Sequence, residues 1–572
     1  MYHDVPLRTI GLASEAALQG CRRPSRFTQF ASTLPNFFIC YLSSAICYSR
    51  SAVAQFELIL GLLLVGALLA VLARRLKLPY LVLLSLIGLA LAFTPGLPDL
   101  TLDPQLTLTL FVAPVLLDAA YDVSLRDLKD NWWPVATLTL IAVGVTVVSV
   151  AVVIRLFLPD IPWAAAVALG AIVAPTDASA ASAVLRVLRP SHRVLVILEG
   201  ESLFNDASAL LIYRAAVGVT ASGTVTGQIP SLLLAGVASV FVGFALARLY
   251  LPIGLRIQEL GPAILMQFLS AFLVWILADA LHLSPIITMA CYAITLARYA
   301  PTKVTAQKRI PSYAVWEVMI FALNILIFIF VGLELKPLLH RLNPSEWNRY
   351  LLIGGAICAT TIVVRIIWVM FYNTVVRLKN RFFGVRLPQR VSPPTFKSGI
   401  IVSWCGMRGI ITLAAALALP DTFPYRDLLL FTAFSVVLGT LVLQGLTLRP
   451  LMMALRFAGD RVIEDEVLLA RAELTRAALL ALGNGEVSEA GAAVRREYEA
   501  RLAIATAETQ TGTNTGSELA LIQSRAIAAE RRALDQLRQS GDIGDDAFHR
   551  LEEELDWAEV YALRSAQDSA GA

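Results

Sequence analysis

This sequence has few of the residues that build metal centres or disulfide frameworks. Its 572 residues include only six cysteines and five histidines, and none of them forms a CxxC or Cys/His motif. Cys291, Cys358 and Cys405 fall inside apolar segments, where an unpaired cysteine serves as a small core residue. These scarcities argue against a disulfide scaffold and against a zinc site.

Charged residues are also scarce, whereas apolar residues make up 57% of the chain and the mean hydropathy is +0.68. A soluble protein is normally about 45–50% apolar. Because long apolar runs recur, the sequence predicts an all-α polytopic membrane protein. We predict about 13 transmembrane helices, at roughly 56–73, 80–94, 106–123, 133–158, 163–188, 194–220, 230–256, 262–281, 284–299, 315–340, 350–377, 398–419 and 427–455.

The basic residues of the predicted loops alternate strongly between the two sides. About 20 Lys and Arg fall in the loops that follow the odd-numbered spans, and about four fall in the opposite loops. Because cytoplasmic loops are enriched in Lys and Arg, the mature N-terminus is predicted outside and the C-terminus inside. The basic character of the membrane part therefore reflects topology and does not imply nucleic acid.

Three regions are predicted along the chain. Residues 1–54 form an N-terminal extension or a signal-like segment, because arginines, a short apolar stretch and Ala-Val-Ala at 52–54 follow one another. An upstream extension and a short extra helix are the alternatives. Residues 55–456 form the membrane domain. Residues 457–572 have a net charge of about −10 and read as a cytoplasmic acidic helical tail, whose middle is also compatible with a disordered linker.

The most informative segment is Gly-Glu-Ser-Leu-Phe-Asn-Asp, residues 200–206, inside a long apolar run. A charge at the centre of a membrane helix costs about 2.5–3.5 kcal/mol on insertion scales, so function usually explains it. Ser202 and Asp206 share one helix face, as Glu201 and Asn205 share another. The segment therefore offers hard oxygen ligands and an ionisable group, which suits a small cation or a proton.

Two spans contain predicted interruptions. Ala-Pro-Thr-Asp-Ala at 174–178 places Thr176 and Asp177 beside Pro175, which should break the helix near mid-membrane. Trp-Cys-Gly-Met-Arg-Gly at 404–409 is the second candidate. Transporters use freed carbonyls and half-helix ends to hold small cations, although a proline kink alone is common in membranes. The two interruptions suggest the halves of an internal repeat.

Further charged residues lie inside the apolar runs. Asp118 lies inside the third span, Arg365 in the eleventh and Arg408 in the twelfth. Two ion pairs would use two of the acids and leave two to titrate or to bind a cation. The set of acids comprises Asp118, Asp177, Glu201 and Asp206. A purely structural arginine–carboxylate pair is the favoured alternative for Glu201 and Arg365.

Together these motifs resemble the bacterial sodium/proton exchanger branch of the monovalent cation:proton antiporters. The similar segments also include Phe-Ala-Leu-Asn-Ile-Leu-Ile-Phe-Ile-Phe-Val-Gly-Leu-Glu-Leu at 321–335 and Gly-Thr-Leu-Val-Leu-Gln-Gly-Leu-Thr-Leu at 439–448. The resemblance covers about residues 55–455. It implies an inverted-repeat antiporter fold with two crossed unwound helices, a homodimer in membrane lipid, and no cofactor.

The resemblance also implies roles for single residues. Asp206 matches the aspartate that binds either cation or proton, and Asn205 matches its amide partner. Matches to positions that bind the transported Na+ are Thr176, Asp177 and Ser202. Glu201 and Arg365 match a structural ion pair, and Arg408 matches a core arginine. Asp118 stands where a longer glutamate is usual, and Ala178 stands where proline is common.

The sequence therefore predicts a secondary antiporter in the cell (inner or plasma) membrane that exchanges Na+ or Li+ for H+. Because the charged form of a buried carboxyl group loses solvation, Asp206 is expected to bind a proton in competition with the cation. Members with Asn-Asp are usually electroneutral. K+/H+ exchange by the same fold, a cation channel, and a sensor whose output is the tail are the alternatives.

Overall fold

The structure, a computed structural model, is built from long helices and has no strand in the part of the chain that it describes. The described residues are 36–76, 78–93, 104–178, 181, 185, 191–222, 228–299, 304, 306–333, 335, 346–383, 395–456, 474–481, 492, 494–503, 515–540, 551 and 554–561.

The principal helices of the apolar region follow in chain order. They are α1 (Asn36–Leu76), α2 (Tyr80–Ala92), α3 (Ala113–Tyr121), α4 (Leu125–Asp130), α5 (Val143–Phe157), α6 (Trp163–Val173), α7 (His192–Ser222), α8 (Gln228–Arg256), α9 (Leu260–Ala280), α10 (Pro285–Tyr299), α11 (Ala306–Leu333), α12 (Trp347–Phe383), α13 (Phe396–Trp404), α14 (Ile410–Leu417) and α15 (Arg426–Ala454). A π-helical turn precedes α3 at Leu108–Val112 and another precedes α5 at Thr137–Ala142. Pro104–Thr107 and Trp132–Ala136 are short helices before these turns.

The described residues of the predicted spans are largely helical, and the prediction of an all-α membrane fold is confirmed, whereas the number of 13 spans stays a prediction. Among the described residues, seven helices are long and apolar enough to cross a membrane. Their outer faces are apolar, as α9 shows with exposed Leu265, Leu269, Leu273 and Ile276. These side chains recur every three or four residues, so they form one stripe that suits contact with lipid.

The first helix is longer than the predicted span. α1 begins at Asn36 and passes without interruption through the Ala-Val-Ala of residues 52–54. Residues 1–35, with the arginines of the signal-like pattern, lie outside the described residues. The signal-like interpretation of residues 1–54 therefore stays a prediction.

Glycines let α2 and α11 pack with their backbones in contact. A Cβ added to Gly88 would lie 2.3 Å from the carbonyl oxygen of Ile329, and one added to Gly332 would lie 2.2 Å from the backbone nitrogen of Leu89. Gly66 of α1 meets the side chain of Ile325 just as closely, at 2.1 Å. Because no side chain separates these helices, one face of α11 is held firmly against α1 and α2.

The chain divides into two compact units. One comprises residues 1–188, 195–387 and 393–456, and the other comprises residues 189–194, 388–392 and 457–572. The second unit is helical where it is described, at 474–481, 494–503, Thr515–Ser540 and 554–561. Arg531 holds two of these helices together, because its guanidinium donates hydrogen bonds to Asp556 and Glu559.

Candidate functional site

Two helices of the membrane unit are interrupted, and both interruptions carry residues that the sequence analysis identified. α6 ends at Val173, and residues 174–177 follow in a non-helical conformation. Pro175 accounts for this break, because proline has no N–H to donate and its ring clashes with the preceding turn. The second break runs from 405 to 409, between α13 and α14. Its two glycines adopt non-helical conformations more readily than other residues do.

The two breaks are hydrogen-bonded to each other. The backbone N–H of Asp177 donates to the carbonyl oxygen of Met407 over 2.8 Å. Arg408 donates from Nε to the carbonyl oxygen of Val173 over 2.7 Å, and from Nη1 to the carbonyl oxygen of Gly406. The Val173 carbonyl belongs to the end of α6, where the last carbonyls have no helical partner and carry partial negative charge. The guanidinium thus stabilises both breaks through backbone atoms.

A chain of buried side chains runs from α7 to α12 behind the first break. Asn205 Nδ2 donates to Thr176 Oγ1 over 2.7 Å, and Thr176 Oγ1 donates to Glu201 Oε1 over 3.0 Å. Glu201 also accepts two hydrogen bonds from Arg365, one of them from Nη2 over 2.9 Å. Arg365 further donates to the carbonyl oxygen of Val402, the Nη2 bond measuring 3.0 Å. All of these charges are therefore paired and hydrogen-bonded, as a low dielectric requires.

Asp206 lies on the other side of α7 and faces a large cavity. Its side chain is 5% exposed, and it lines a space of about 1440 Å³ together with Asp118, Thr176, Asp177 and Ser202. The hydroxyl of Ser202 also accepts the backbone N–H of Ala178 over 3.2 Å. Among the described residues, six carboxylates and two guanidiniums line the cavity, namely Asp118, Asp122, Asp177, Glu199, Asp206 and Glu317 with Arg74 and Arg449. An excess of acids attracts cations into such a space.

Two glycines of the second break make room for charged side chains. A Cβ on Gly409 would lie 1.8 Å from Oδ2, 2.5 Å from Cγ and 2.6 Å from Cβ of Asp177. A Cβ on Gly406 would lie 2.3 Å from Cδ and 2.5 Å from Nε of Arg365. The φ of Gly409 is −136°, a value open to any residue. Position 409 therefore requires glycine because the side chain of Asp177 lies so close to it, and not because of the backbone conformation at this position.

The structure separates the predicted site residues into two groups. Those that line the cavity are Asp118, Thr176, Asp177, Ser202 and Asp206, and those that lie outside its lining are Asn205, Glu201, Arg365 and Arg408. Of the two ion pairs that the sequence allowed, the one between Arg365 and Glu201 is present. Arg408 instead donates its side-chain hydrogen bonds to backbone carbonyls, and its backbone N–H donates to a threonine hydroxyl.

Four contributors were not assigned from sequence. Thr440 of α15 accepts the backbone N–H of Arg408 over 3.0 Å, and Gly406 and Gly409 admit their charged neighbours. Asn324 of α11 also lines the cavity. In the sequence, the one sign of a role for Asn324 was that a single amide side chain stands in an apolar run. A buried threonine gives no such signal, because its hydroxyl can bond to its own helix.

The described residues contain no group of three or more His, Cys, Asp or Glu that could hold a metal ion. Around Asp206 the oxygen set combines two carboxylates with the hydroxyls of Thr176 and Ser202. Such a set, low in charge and rich in oxygen, suits a cation that binds and leaves again.

Comparisons with known proteins agree with this architecture. The family model for the transmembrane region of sodium/hydrogen exchangers matches residues 25–454. A Mycobacterium tuberculosis protein described as an uncharacterized Na+/H+ exchanger, Rv2287, is 28% identical over 90% of this chain and 99% of its own length. The sodium, potassium, lithium and rubidium/H+ antiporter of Bacillus subtilis is 28% identical over 82% of this chain and 72% of its own length.

The fold also has a counterpart among solved structures. The sodium proton antiporter MjNhaP1 from Methanocaldococcus jannaschii, solved at pH 8, superimposes with a TM-score of 0.56 and 20% sequence identity. The match covers 70% of this chain and 98% of the MjNhaP1 chain. At that identity the match establishes the antiporter fold and leaves the roles of single residues to the geometry described above.

Proposed function

The chain belongs to the sodium/hydrogen exchanger family, and we propose that it exchanges Na+ or Li+ for H+ with Asp206 as the residue that binds cation and proton in alternation. It is a sodium/proton antiporter, a secondary transporter that crosses the membrane several times. The observation that carries the assignment to Asp206 is its position: it is buried and lines an acid-lined cavity to which both helix breaks also contribute.

The cation would be held by oxygens from both α7 and the first break. Asp206 and Asp177 supply carboxylates, and Thr176 and Ser202 supply hydroxyls. Asp118, one methylene shorter than glutamate, lines the same cavity and acts from its wall. A buried carboxylate is stabilised by a bound cation or by a proton. Because the two compete for one group, exchange at a ratio of one to one needs no separate coupling device, and this supports an electroneutral antiporter.

The predicted site residues outside the cavity lining position those that line it. Asn205 and Glu201 hold Thr176 from behind, and Arg365 fixes Glu201. Arg408 joins the breaks through their carbonyls. In this proposal none of these four touches the cation. Each keeps the non-helical segments in the one conformation that directs Thr176 and Asp177 toward Asp206.

The cavity reaches helix ends that are predicted to be cytoplasmic. Arg74 at the end of α1 and Asp122 beyond α3 belong to its lining. We therefore assign the structure an inward-facing state, in which the site exchanges ions with the cytoplasm. Movement of the two breaks with α7 against the remaining helices would open the site to the other side.

The setting of the protein follows from the same assignment. The proposal places it in the cell membrane with the mature N-terminus outside and residues 457–572 in the cytoplasm. It places two copies in a homodimer surrounded by lipid and gives the protein a role in pH homeostasis. The alternation of basic loops supports the orientation.

K+/H+ exchange is the second candidate. The Bacillus subtilis relative, named for sodium, potassium, lithium and rubidium, favours it. Oxygen ligands accept either Na+ or K+, and the diameter of the site selects between them. A channel would conduct the cation without opposite movement of protons. A sensor whose output is the tail would show no cation or proton transport after the tail is deleted.

The test uses purified protein in vesicles with a pH-sensitive dye inside. Addition of Na+, Li+ or K+ should produce proton movement, in the order that the site prefers. Asp206→Asn should abolish the signal while leaving the protein folded. Asp160→Asn is the matched control, because Asp160 is an exposed aspartate between α5 and α6. Na+-dependent proton flux that persists in Asp206→Asn would show that another group carries the exchange.

A further inference from the structure

One face of α11 contributes a row of polar side chains to the cavity. Tyr313, Glu317 and Asn324 line it, with Phe321 between the last two. Steps of three or four residues place side chains on one face of a helix. From the first to the last of these residues the helix rises about 16 Å, at about 1.5 Å per residue. Asn324 is the last residue of α11 to line the cavity.

A neighbouring face of α11 is fixed by helices that do not carry the breaks. Ile325 packs on Gly66 of α1, and the α11 backbone meets that of α2 at Gly88 and Gly332. Asn324 thus lies on a wall formed by α1, α2 and α11. Asp206 and Asp177 lie on a different wall, formed by α7 and the first break. A cation in the cavity passes between the two walls.

The carboxamide of Asn324 lacks a protein partner for its oxygen. Its side chain is 6% exposed, and within the described part of the chain Oδ1 accepts no hydrogen bond. Its neighbours Leu323 and Ile325 are buried and apolar. A buried carbonyl oxygen without a partner is unfavourable. At the edge of an acid-lined cavity, a cation that sheds water would satisfy it, because carbonyl oxygens replace the hydration shell of alkali cations.

Asn131 provides an internal comparison. It is also a buried asparagine whose Oδ1 accepts no hydrogen bond from the described residues, but it is not among the residues that line the cavity. Its Nδ2 donates to the carbonyl oxygen of Asp127 over 2.9 Å, and it precedes the short helix Trp132–Ala136. Asn131 is therefore buried, as Asn324 is, and its side-chain oxygen likewise has no partner among the described residues, but it does not line the cavity.

We propose that Asn324 is a further ligand of the transported cation, which it binds through its side-chain oxygen from the α11 side of the cavity that Asp177 and Asp206 also line. This assignment rests on the proposed antiport. It gives α11 a part in choosing among Na+, Li+ and K+, because a neutral carbonyl on a fixed wall sets the width that the cation must match. It leaves the proton to Asp206, since a carboxamide does not titrate.

Two substitutions act in opposite directions on this oxygen. Asn324→Leu keeps the number and branching of the side-chain heavy atoms and removes the oxygen, so the apparent affinity for Na+ should fall about tenfold, as for the loss of one bond to a charge. The ratios among Na+, Li+ and K+ should also change, while the pH dependence at saturating cation stays as in the wild type. Asn324→Asp keeps an oxygen and adds charge, so its apparent affinity should rise. Asn131→Leu should alter only the melting temperature.

The measurement is cation-dependent proton flux in vesicles, with melting temperature recorded for each variant. Affinities and cation ratios within about twofold of the wild type in folded Asn324→Leu would overturn the assignment. A change that Asn131→Leu reproduces would overturn it too. If Asn324→Leu does not fold, Asn324→Asp decides, and an unchanged affinity there refutes the assignment. Absence of cation-dependent flux in the wild type would instead refute the antiport itself.

Discussion

Replacing Gly409 by alanine tests whether Asp177 belongs to the cation site. The added Cβ would lie 1.8 Å from Oδ2 of Asp177 and 2.6 Å from its Cβ. A new rotamer moves the carboxylate but not the Cβ, so the backbone of one break must also move. Contacts between carbon atoms are favourable only at about 3.5–4.0 Å. The two breaks must therefore separate by roughly 1 Å, against the 2.8 Å hydrogen bond from Asp177 to Met407.

The expected effect is a loss of cation affinity in a protein that still folds. Overpacking of this kind typically costs about 1–3 kcal/mol of stability. A displacement of about 1 Å in a preorganised site can cost about a hundredfold in function. We therefore expect the apparent Na+ affinity of Gly409→Ala to fall by about 10- to 100-fold, equivalent to about 1.4–2.8 kcal/mol.

Two other glycines serve as controls in the same assay of proton flux in vesicles. Gly355 of α12 has no atom within 4 Å of an added Cβ, so Gly355→Ala should transport normally and gain about 0.5–1 kcal/mol from helix propensity. Gly406→Ala presses on Arg365, so it should lower the melting temperature more than it lowers affinity. Asp177→Ala should already lose the affinity that Gly409→Ala loses, so the double variant should be far from additive.

Two outcomes would contradict a role for Asp177 in binding the cation. If Gly409→Ala has the apparent Na+ affinity of Gly355→Ala, then displacement of the Asp177 carboxylate does not matter for the cation. Additive effects of Gly409→Ala and Asp177→Ala would likewise show that the glycine acts elsewhere. In either case Asp177 would have to be removed from the proposed cation site.

Three further predictions follow from the site. Glu201→Gln and Arg365→Ala should each lower the free energy of unfolding by about 3–5 kcal/mol, since each leaves a buried partner uncompensated; thermal melts that match the wild type would contradict the pairing. Asn205→Asp adds an ionisable group beside Asp206 and removes the donor to Thr176, so the pH profile of exchange should shift, and an unchanged profile would place position 205 outside the reach of the site. Deletion of residues 460–572 should leave exchange present with altered cation affinity or pH optimum, in a way that salt weakens if exposed charges mediate it; a folded truncated protein without exchange at any pH would make the tail part of the transport machinery.

The sequence was sufficient for the features that depend on the type of a single residue. The bilayer tolerates few polar groups, so apolar runs locate the helices, although α1 and α11 begin well before their predicted spans, at Asn36 and Ala306. Asp206 was recognisable because it is an acid in mid-span. Pro175 was recognisable because proline cannot continue the backbone hydrogen bonds of a helix. Each of these signals lies in the chemistry of the residue itself and needs no knowledge of its neighbours.

The features that the sequence could not predict depend on approach between distant segments. No partner could be assigned to Arg408 from the sequence, and its Nε donates to the carbonyl oxygen of Val173, 235 residues away in the chain. Every residue has a backbone carbonyl, so no residue type marks this partner. The role of Gly409 is equally hidden, because the glycine is required by the carboxylate of Asp177 and not by its own φ.

The carbonyl partners of Arg408 bear on how the membrane unit tolerates its charges. An arginine bonded to a carboxylate would neutralise one of the acids and remove it from exchange. Arg408 is bonded instead to dipoles at the ends of the broken helices, which offset its charge without consuming an acid. Arg408 therefore joins the two breaks without a hydrogen bond to Asp206, the carboxylate proposed to exchange cation and proton. The broken helices thus do more than expose oxygens: they supply the counter-dipoles that let a buried arginine hold the site together without consuming that carboxylate.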